Sequence, residues 1–355
     1  MFKKVLLGSM LLFIGCKSED FTPSEDFVLE FIKENPEKSS IALIRNDTVV
    51  ALHNGDKMMP LASTFKIIVA ISYARMAAEG KINADEMIPV SELEKYYVRN
   101  TDGGAHQMWL DAVSARITDQ KISIREISKG MIKYSSNANT EWLMLKLGLG
   151  NINAELNNLA VKNHESLYYI VSSLFVGKES FPGLTGSSLA EKLRLMSNAD
   201  YLSAINTIHQ KLQADPSYKT ELGDMSTGIQ KVWSDRLTAS TVNEYAGIMQ
   251  KINGRKYFRA DMQKYLDEVM EFLLENPANA AWLEHTGMKG GSTAFVLTKA
   301  LYATDKKGNK TELVYFWNNL SNEENKNLQS SMNDFELNIL SNPAYVQKIR
   351  TEIPN

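Results

Sequence analysis

Residues 63–66 read Ser63-Thr64-Phe65-Lys66, and they open an apolar segment in which Phe65, Ile68, Val69, Ile71, Ser72, Met76 and Ala77 recur at helical spacing until Gly80 ends it. A lysine three residues beyond a serine lies on the same helix face, where a neutral amine can take the hydroxyl proton that otherwise keeps serine a poor nucleophile. Ser63 stands at the start of this segment, where backbone N–H groups and the positive end of the helix dipole favour negative charge. Alone, the tetrapeptide reads as a serine capping a helix. Its meaning depends on what lies on either side.

Upstream, Glu25 to Lys33 has an acidic first turn and apolar residues at helical spacing, which predicts a helix. Ile41 to Ile44 and Val49 to Leu52 flank the turn formers Asn46-Asp47, the pattern of a hairpin that Pro60 closes. Downstream, periodic stretches over Ile124 to Ile132, Thr140 to Leu147, Ser188 to Met196, Tyr201 to Leu212, Thr241 to Ile252 and Met262 to Leu274 all predict helices. The end returns to strand character over Ala294 to Tyr302 and Glu312 to Trp317, joined by the turn Asp305 to Asn309, and a last helix covers Leu328 to Ile339. This order predicts an α/β (α+β) fold: one antiparallel sheet flanked by terminal helices, plus an all-α lobe, with a cleft between them. The sheet lobe is expected over about 24–62 and 284–345 and the helical lobe over about 63–283, within one domain of 17–355.

Two more motifs carry polar chemistry. Tyr134-Ser135-Ser136-Asn137 lies in a polar break ahead of the helix holding Trp142, Leu143, Leu145 and Leu147, a place where Ser and Asn also serve as caps. Lys289-Gly290-Gly291-Ser292 precedes the strand around Phe295 to Thr298, and glycines there weaken a strand unless something needs close access to its backbone, such as a substrate lying along the edge. In combination and order, Ser-x-x-Lys, Ser-x-Asn and the Lys-Gly-Gly strand resemble the serine β-lactamases and penicillin-binding DD-peptidases. The stretch YSSNANTEWLMLKLG, Tyr134 to Gly148, is similar to the corresponding helix start of class A β-lactamases, and the likeness extends over most of 25–340. The resemblance implies a β-lactamase/transpeptidase-like fold and a role for each matching residue. Ser63 would be acylated and Lys66 would accept its proton. Ser135 would relay a proton to the leaving nitrogen, Asn137 would hold the substrate side-chain amide, and Lys289 would attract the substrate carboxylate. The backbone beside Gly291 would line the edge, and the N–H groups of Ser63 and Ser292 would form an oxyanion hole, where one donor contributes about 3 kcal/mol in other enzymes.

The pattern departs from the family in two places. Gly290 stands where a hydroxyl residue is usual, leaving Ser292 to supply one, and a second registration takes His285-Thr286-Gly287 as the third motif. Class A enzymes also use a loop glutamate to activate the deacylating water. Glu165 lies nearest the expected distance, but its neighbours His164 and Ser166-Leu167-Tyr168 do not match, and Glu179 fits no better. Asp235-Arg236-Leu237-Thr238 resembles the end of that loop, so the chain between Asn137 and this point carries an insertion of helices expected at the mouth of the cleft.

With 39 basic against 42 acidic side chains, the net charge of −3 gives no electrostatic basis for a nucleic-acid partner. His53, His106, His164, His209 and His285 lack metal-ligand spacing, and neither Gly103-Gly104 nor Gly290-Gly291 is followed by the helix of a phosphate loop, so no metal or cofactor is expected. The N-terminus has Lys3 and Lys4, an apolar run from Val5 to Ile14 that is too short to span a bilayer, and then Gly15-Cys16. Phe13-Ile14-Gly15-Cys16 resembles a bacterial lipobox, with residues 1–16 as signal peptide, Cys16 as lipid attachment site and Lys17 to Asp20 as an acidic surface-export patch. The expected protein is an exported, lipid-anchored monomer of the cell envelope acting on a β-lactam, with a DD-peptidase or esterase using the same site as one alternative. A non-catalytic cell-wall-binding lipoprotein is the other.

Overall fold

Ser39–Arg45 is buried at every position but the last, as an apolar strand covered on both faces should be. In the computed structural model, which describes residues 24–353, it pairs with Thr48–His53 on one side and Lys310–Trp317 on the other. Leu297–Asp305 and then Leu283–Ser292 complete a five-stranded antiparallel sheet. One face is covered by the terminal helices Phe27–Glu34, Asn322–Ser341 and Pro343–Glu352, whose Phe31, Ile32, Leu328, Phe335, Ile339 and Ile349 meet Ile41, Leu43, Leu301, Leu313 and Trp317. The proposed signal peptide and Cys16 lie outside the described residues.

The chain divides into two compact units, one comprising residues up to Thr64, Leu159–Glu165 and from Ala239 onward, the other Phe65–Asn158 and Ser166–Thr238. The helical lobe is therefore shorter than the expected 63–283. Helix Val242–Asn253 belongs with the sheet because Val242, Tyr245, Ala246, Met249 and Ile252 are buried and the helix packs on the sheet strands, with the Tyr245 ring 5.7 Å from Phe316. An apolar stripe reveals that a helix is covered, not which surface covers it. Leu283–Ser292 is a further correction. Residue periodicity begins the strand at Ala294 and only the motif resemblance makes Lys289-Gly290-Gly291 a strand; it is a ten-residue edge strand of its own, followed by the turn in which Thr293 N–H donates to Val296 O.

In the helical unit, Lys66–Ala78 is buried on nearly every side, which places it at the centre of that core. Helices Ile124–Lys133, Asn137–Leu147 and Leu149–Asn158 surround it. Residues 166–238 form a helical excursion whose ends meet: Thr238 donates to Ser166 O at 3.3 Å and Tyr168 OH to Arg236 O at 2.8 Å. The long interval before Asp235 to Thr238 is thus filled by helices.

Candidate active site

The helix foreseen from Ser63 begins as a 3-10 turn, Ala62–Phe65, that runs directly into Lys66–Ala78. Ala62 is held at φ 43°, a left-handed conformation that costs a non-glycine residue about 1 kcal/mol or more. Two buried hydroxyls fasten this turn. Thr64 Oγ1 lies 2.8 Å from Thr298 Oγ1, which donates to Leu61 O at 2.8 Å. Each hydroxyl has one proton, so Thr64 donates to Thr298 and the chain of bonds ends on the carbonyl two residues before Ser63. Among its neighbours Ala62, Thr64, Phe65 and Lys66, Ser63 alone is partly exposed.

The edge strand reaches the same turn. A Cβ on Gly291 would sit 2.4 Å from Ser63 N and 2.6 Å from Leu61 O, so only glycine allows this approach. Lys289 is buried to 2% exposure, and Ser292 ends the strand. Of the two tripeptides considered for the third motif, Lys289-Gly290-Gly291 is the one whose last glycine lies against Ser63. His285-Thr286-Gly287 is engaged elsewhere: the His285 ring contacts Glu271 at 3.2 Å and Thr286 Oγ1 donates to Tyr302 O at 3.0 Å.

Lys66 is fully buried, and its Nζ lies 2.8 Å from Ser135 O, 3.2 Å from Ser135 Oγ and 2.8 Å from Asn137 Oδ1. The second motif thus meets the first at this amine. Burial drives its pKa down to about 7, while the negative charge of Asp102 opposes part of that shift. Ser135 sits at φ 67°, and Ser136 caps helix Asn137–Leu147 by accepting Asn139 N–H.

The sought loop carboxylates are committed elsewhere. Glu165 is exposed in the sheet unit, where its Oε2 accepts Ala239 N–H at 2.9 Å, and Glu179 accepts from Lys211 and from Tyr218 OH at 2.7 Å. One acidic residue unmarked by any motif is instead central to the helical unit. Glu141, one turn beyond Asn137, is fully buried and accepts from Val171 N at 2.8 Å, Ser172 N at 3.1 Å, Ser172 Oγ and His209 Nδ1 at 3.0 Å. The other ring nitrogen of His209, Nε2, lies 3.0 Å from Gln213 Nε2. A charge within the apolar helix was its only sequence signal; its partners lie 30 to 68 residues away. Among the described residues, no group of three or more His, Cys, Asp or Glu side chains could hold a metal ion.

Residues 24–272 match the β-lactamase enzyme family. The chain belongs to that family. It is a serine hydrolase of the β-lactamase type, and solved structures share its fold. A β-lactamase from Chitinophaga pinensis is 12% identical, with 92% of this chain and 97% of that one covered at a TM-score of 0.54. A class A β-lactamase from Bacteroides cellulosilyticus is 16% identical, covering 94% and 98% at 0.52. A variant of PBP-A, solved as its acyl-enzyme complex with penicillin G, is 12% identical, covering 88% and 94% at 0.51. No curated protein matches the chain by sequence. The family match ends before Leu283–Ser292, so the assignment of the Lys289-Gly290-Gly291 strand rests on Gly291 lying against Ser63.

Proposed function

We propose that this family member hydrolyses the amide bond of a β-lactam through an acyl-enzyme on Ser63. The observation that carries the reading is the buried Lys66 amine, poised near neutrality against Ser135 and Asn137. Neutral Lys66 takes the Ser63 proton as Oγ bonds to the lactam carbonyl carbon, and the N–H groups of Ser63 and Ser292 receive the developing oxyanion. Ser135 passes a proton to the departing nitrogen as the C–N bond breaks. Asn137, whose Oδ1 is occupied by Lys66, offers its Nδ2 to the substrate amide, and Lys289 attracts the substrate carboxylate. Water then cleaves the ester and restores Ser63.

Intact-mass spectrometry during exposure to a penicillin tests this. The expected result is a Ser63-dependent adduct that decays as hydrolysed drug accumulates. A second reading, a DD-peptidase or esterase with a long-lived acyl-enzyme, is favoured by the hydrogen bonds that occupy Glu165 and Glu179, and a persistent adduct would establish it. Absence of any adduct would refute both for penicillins.

A base must be deprotonated to work, so the acylation rate should rise with pH through about 7 and level off above it, falling tenfold per unit on the acid side where Lys66 is charged. Stopped-flow acylation across pH 5 to 9 checks this; a flat profile would remove Lys66 as the base. We further propose export and lipid attachment at Cys16, and with them a place in the cell envelope; Lys3, Lys4, the apolar run to Ile14 and Gly15-Cys16 support this reading. Among the described residues, no helix is long and apolar enough to cross a membrane.

A further inference from the structure

We propose that His106 is a positioning residue for the acylation step, holding the turn that carries Ser135 through a single hydrogen bond to Ser136. The inference rests on the acyl-enzyme reading above. Ser135 occupies the left-handed region at φ 67°, a conformation that persists only when its surroundings impose it. Its carbonyl and hydroxyl, with Asn137 Oδ1, are the groups around the Lys66 amine. Ser136 lies between those two residues, fully buried, so whatever anchors its side chain anchors both.

The anchor is directional. Ser136 Oγ accepts Asn139 N–H at 3.2 Å, and we assign its one proton to His106 Nδ1, 2.9 Å away. The ring then carries its own proton on Nε2, which faces Glu94 Oε1 at 3.0 Å. Every donor in the line Asn139 N–H, Ser136 Oγ–H, His106 Nε2–H has one acceptor, ending on a carboxylate. The ring itself has no freedom: His106 is fully buried, its backbone N–H donates to Asp102 Oδ2 at 3.1 Å, and its centroid lies 4.8 Å from Tyr97 and 5.4 Å from Trp109. Nothing in the sequence marks this line, since Glu94, His106 and Ser136 stand 12 and 30 residues apart.

Two substitutions separate positioning from packing. Asparagine places an acceptor near Nδ1 and loses the contact with Glu94; glutamine reaches toward Glu94 and leaves the Ser136 hydroxyl proton without an acceptor. His106→Asn removes more volume from between Tyr97 and Trp109, so it is the less stable of the two. Positioning nevertheless predicts that it acylates with benzylpenicillin within about threefold of wild type, while His106→Gln is slower by about tenfold or more with a higher thermal midpoint than His106→Asn. Activity that follows stability, with glutamine the better variant, or acylation unchanged in both, would overturn the proposal. Titration of the Lys66 amine in protein with carbon-13-labelled lysine gives a readout that needs no turnover. Its pKa should rise in His106→Gln, where water reaches the loosened turn, and stay in place in His106→Asn; equal values in both would also overturn it. If wild-type Ser63 takes no acyl group, the acyl-enzyme reading fails and the Lys66 titration alone decides the role of His106.

Discussion

Ser63→Ala is expected to abolish the penicillin adduct while leaving the melting temperature within a few degrees of wild type. The side chain is partly exposed and its neighbours Thr64 and Thr298 hold the turn without it, so the fold has little to lose. The proposed chemistry has everything to lose, because it forms its ester on Ser63 Oγ; removal of a serine nucleophile lowers turnover by on the order of a millionfold in a serine protease. Lys66→Ala is the companion variant. Without the amine the Ser63 hydroxyl loses its proposed base, and loss of general-base catalysis costs about a hundred- to ten-thousandfold. It also frees Ser135 O and Asn137 Oδ1 from their shared donor, so some loss of stability accompanies it. The adduct yield and rate, read by intact mass, decide both; normal labelling of either variant would refute its assigned role.

Gly291→Ala should be nearly as damaging through a different cause. The added methyl group would stand 2.4 Å from Ser63 N, 2.6 Å from Leu61 O and 2.7 Å from Thr298 Oγ1. Two of these atoms are backbone and cannot turn aside, so the edge strand must move away from the turn holding Ser63. That movement displaces the Ser292 N–H from the proposed oxyanion hole and strains the Thr64–Thr298–Leu61 hydrogen bonds together. Acylation should fall by at least about a hundredfold, the cost of a displacement near 1 Å at a reacting centre. Gly290→Ala is the control: its nearest neighbour would be Thr298 O at 3.4 Å, ordinary contact, and it should acylate close to wild type. Equal rates in the two variants would show that the strand's approach to Ser63 does not matter to the reaction.

Much of this was legible in the order of residues. The hairpin, the apolar helix behind Ser63 and the helices over 124–132, 140–147 and 201–212 follow from local periodicity, and periodicity survives folding because it states which face must leave water. Three motifs, each weak alone, pointed to one chemistry because their order matched it. The Lys-Gly-Gly strand was expected from the motif order, but its full extent over Leu283–Ser292 and the passage of Gly291 against Ser63 appear only in the folded chain. The lobe boundary was misplaced because Val242–Asn253 carries an apolar stripe that any core would accept, and only packing selects the sheet. Residue order also named Lys66 as the base, but its depressed pKa required the burial that tertiary structure provides. The lines Thr64–Thr298–Leu61, Glu94–His106–Ser136 and His209–Glu141–Ser172 could be found only in the folded chain. A single hydrogen bond between residues tens or hundreds of positions apart leaves no local pattern, since its geometry is made by the whole core rather than by the segments it joins.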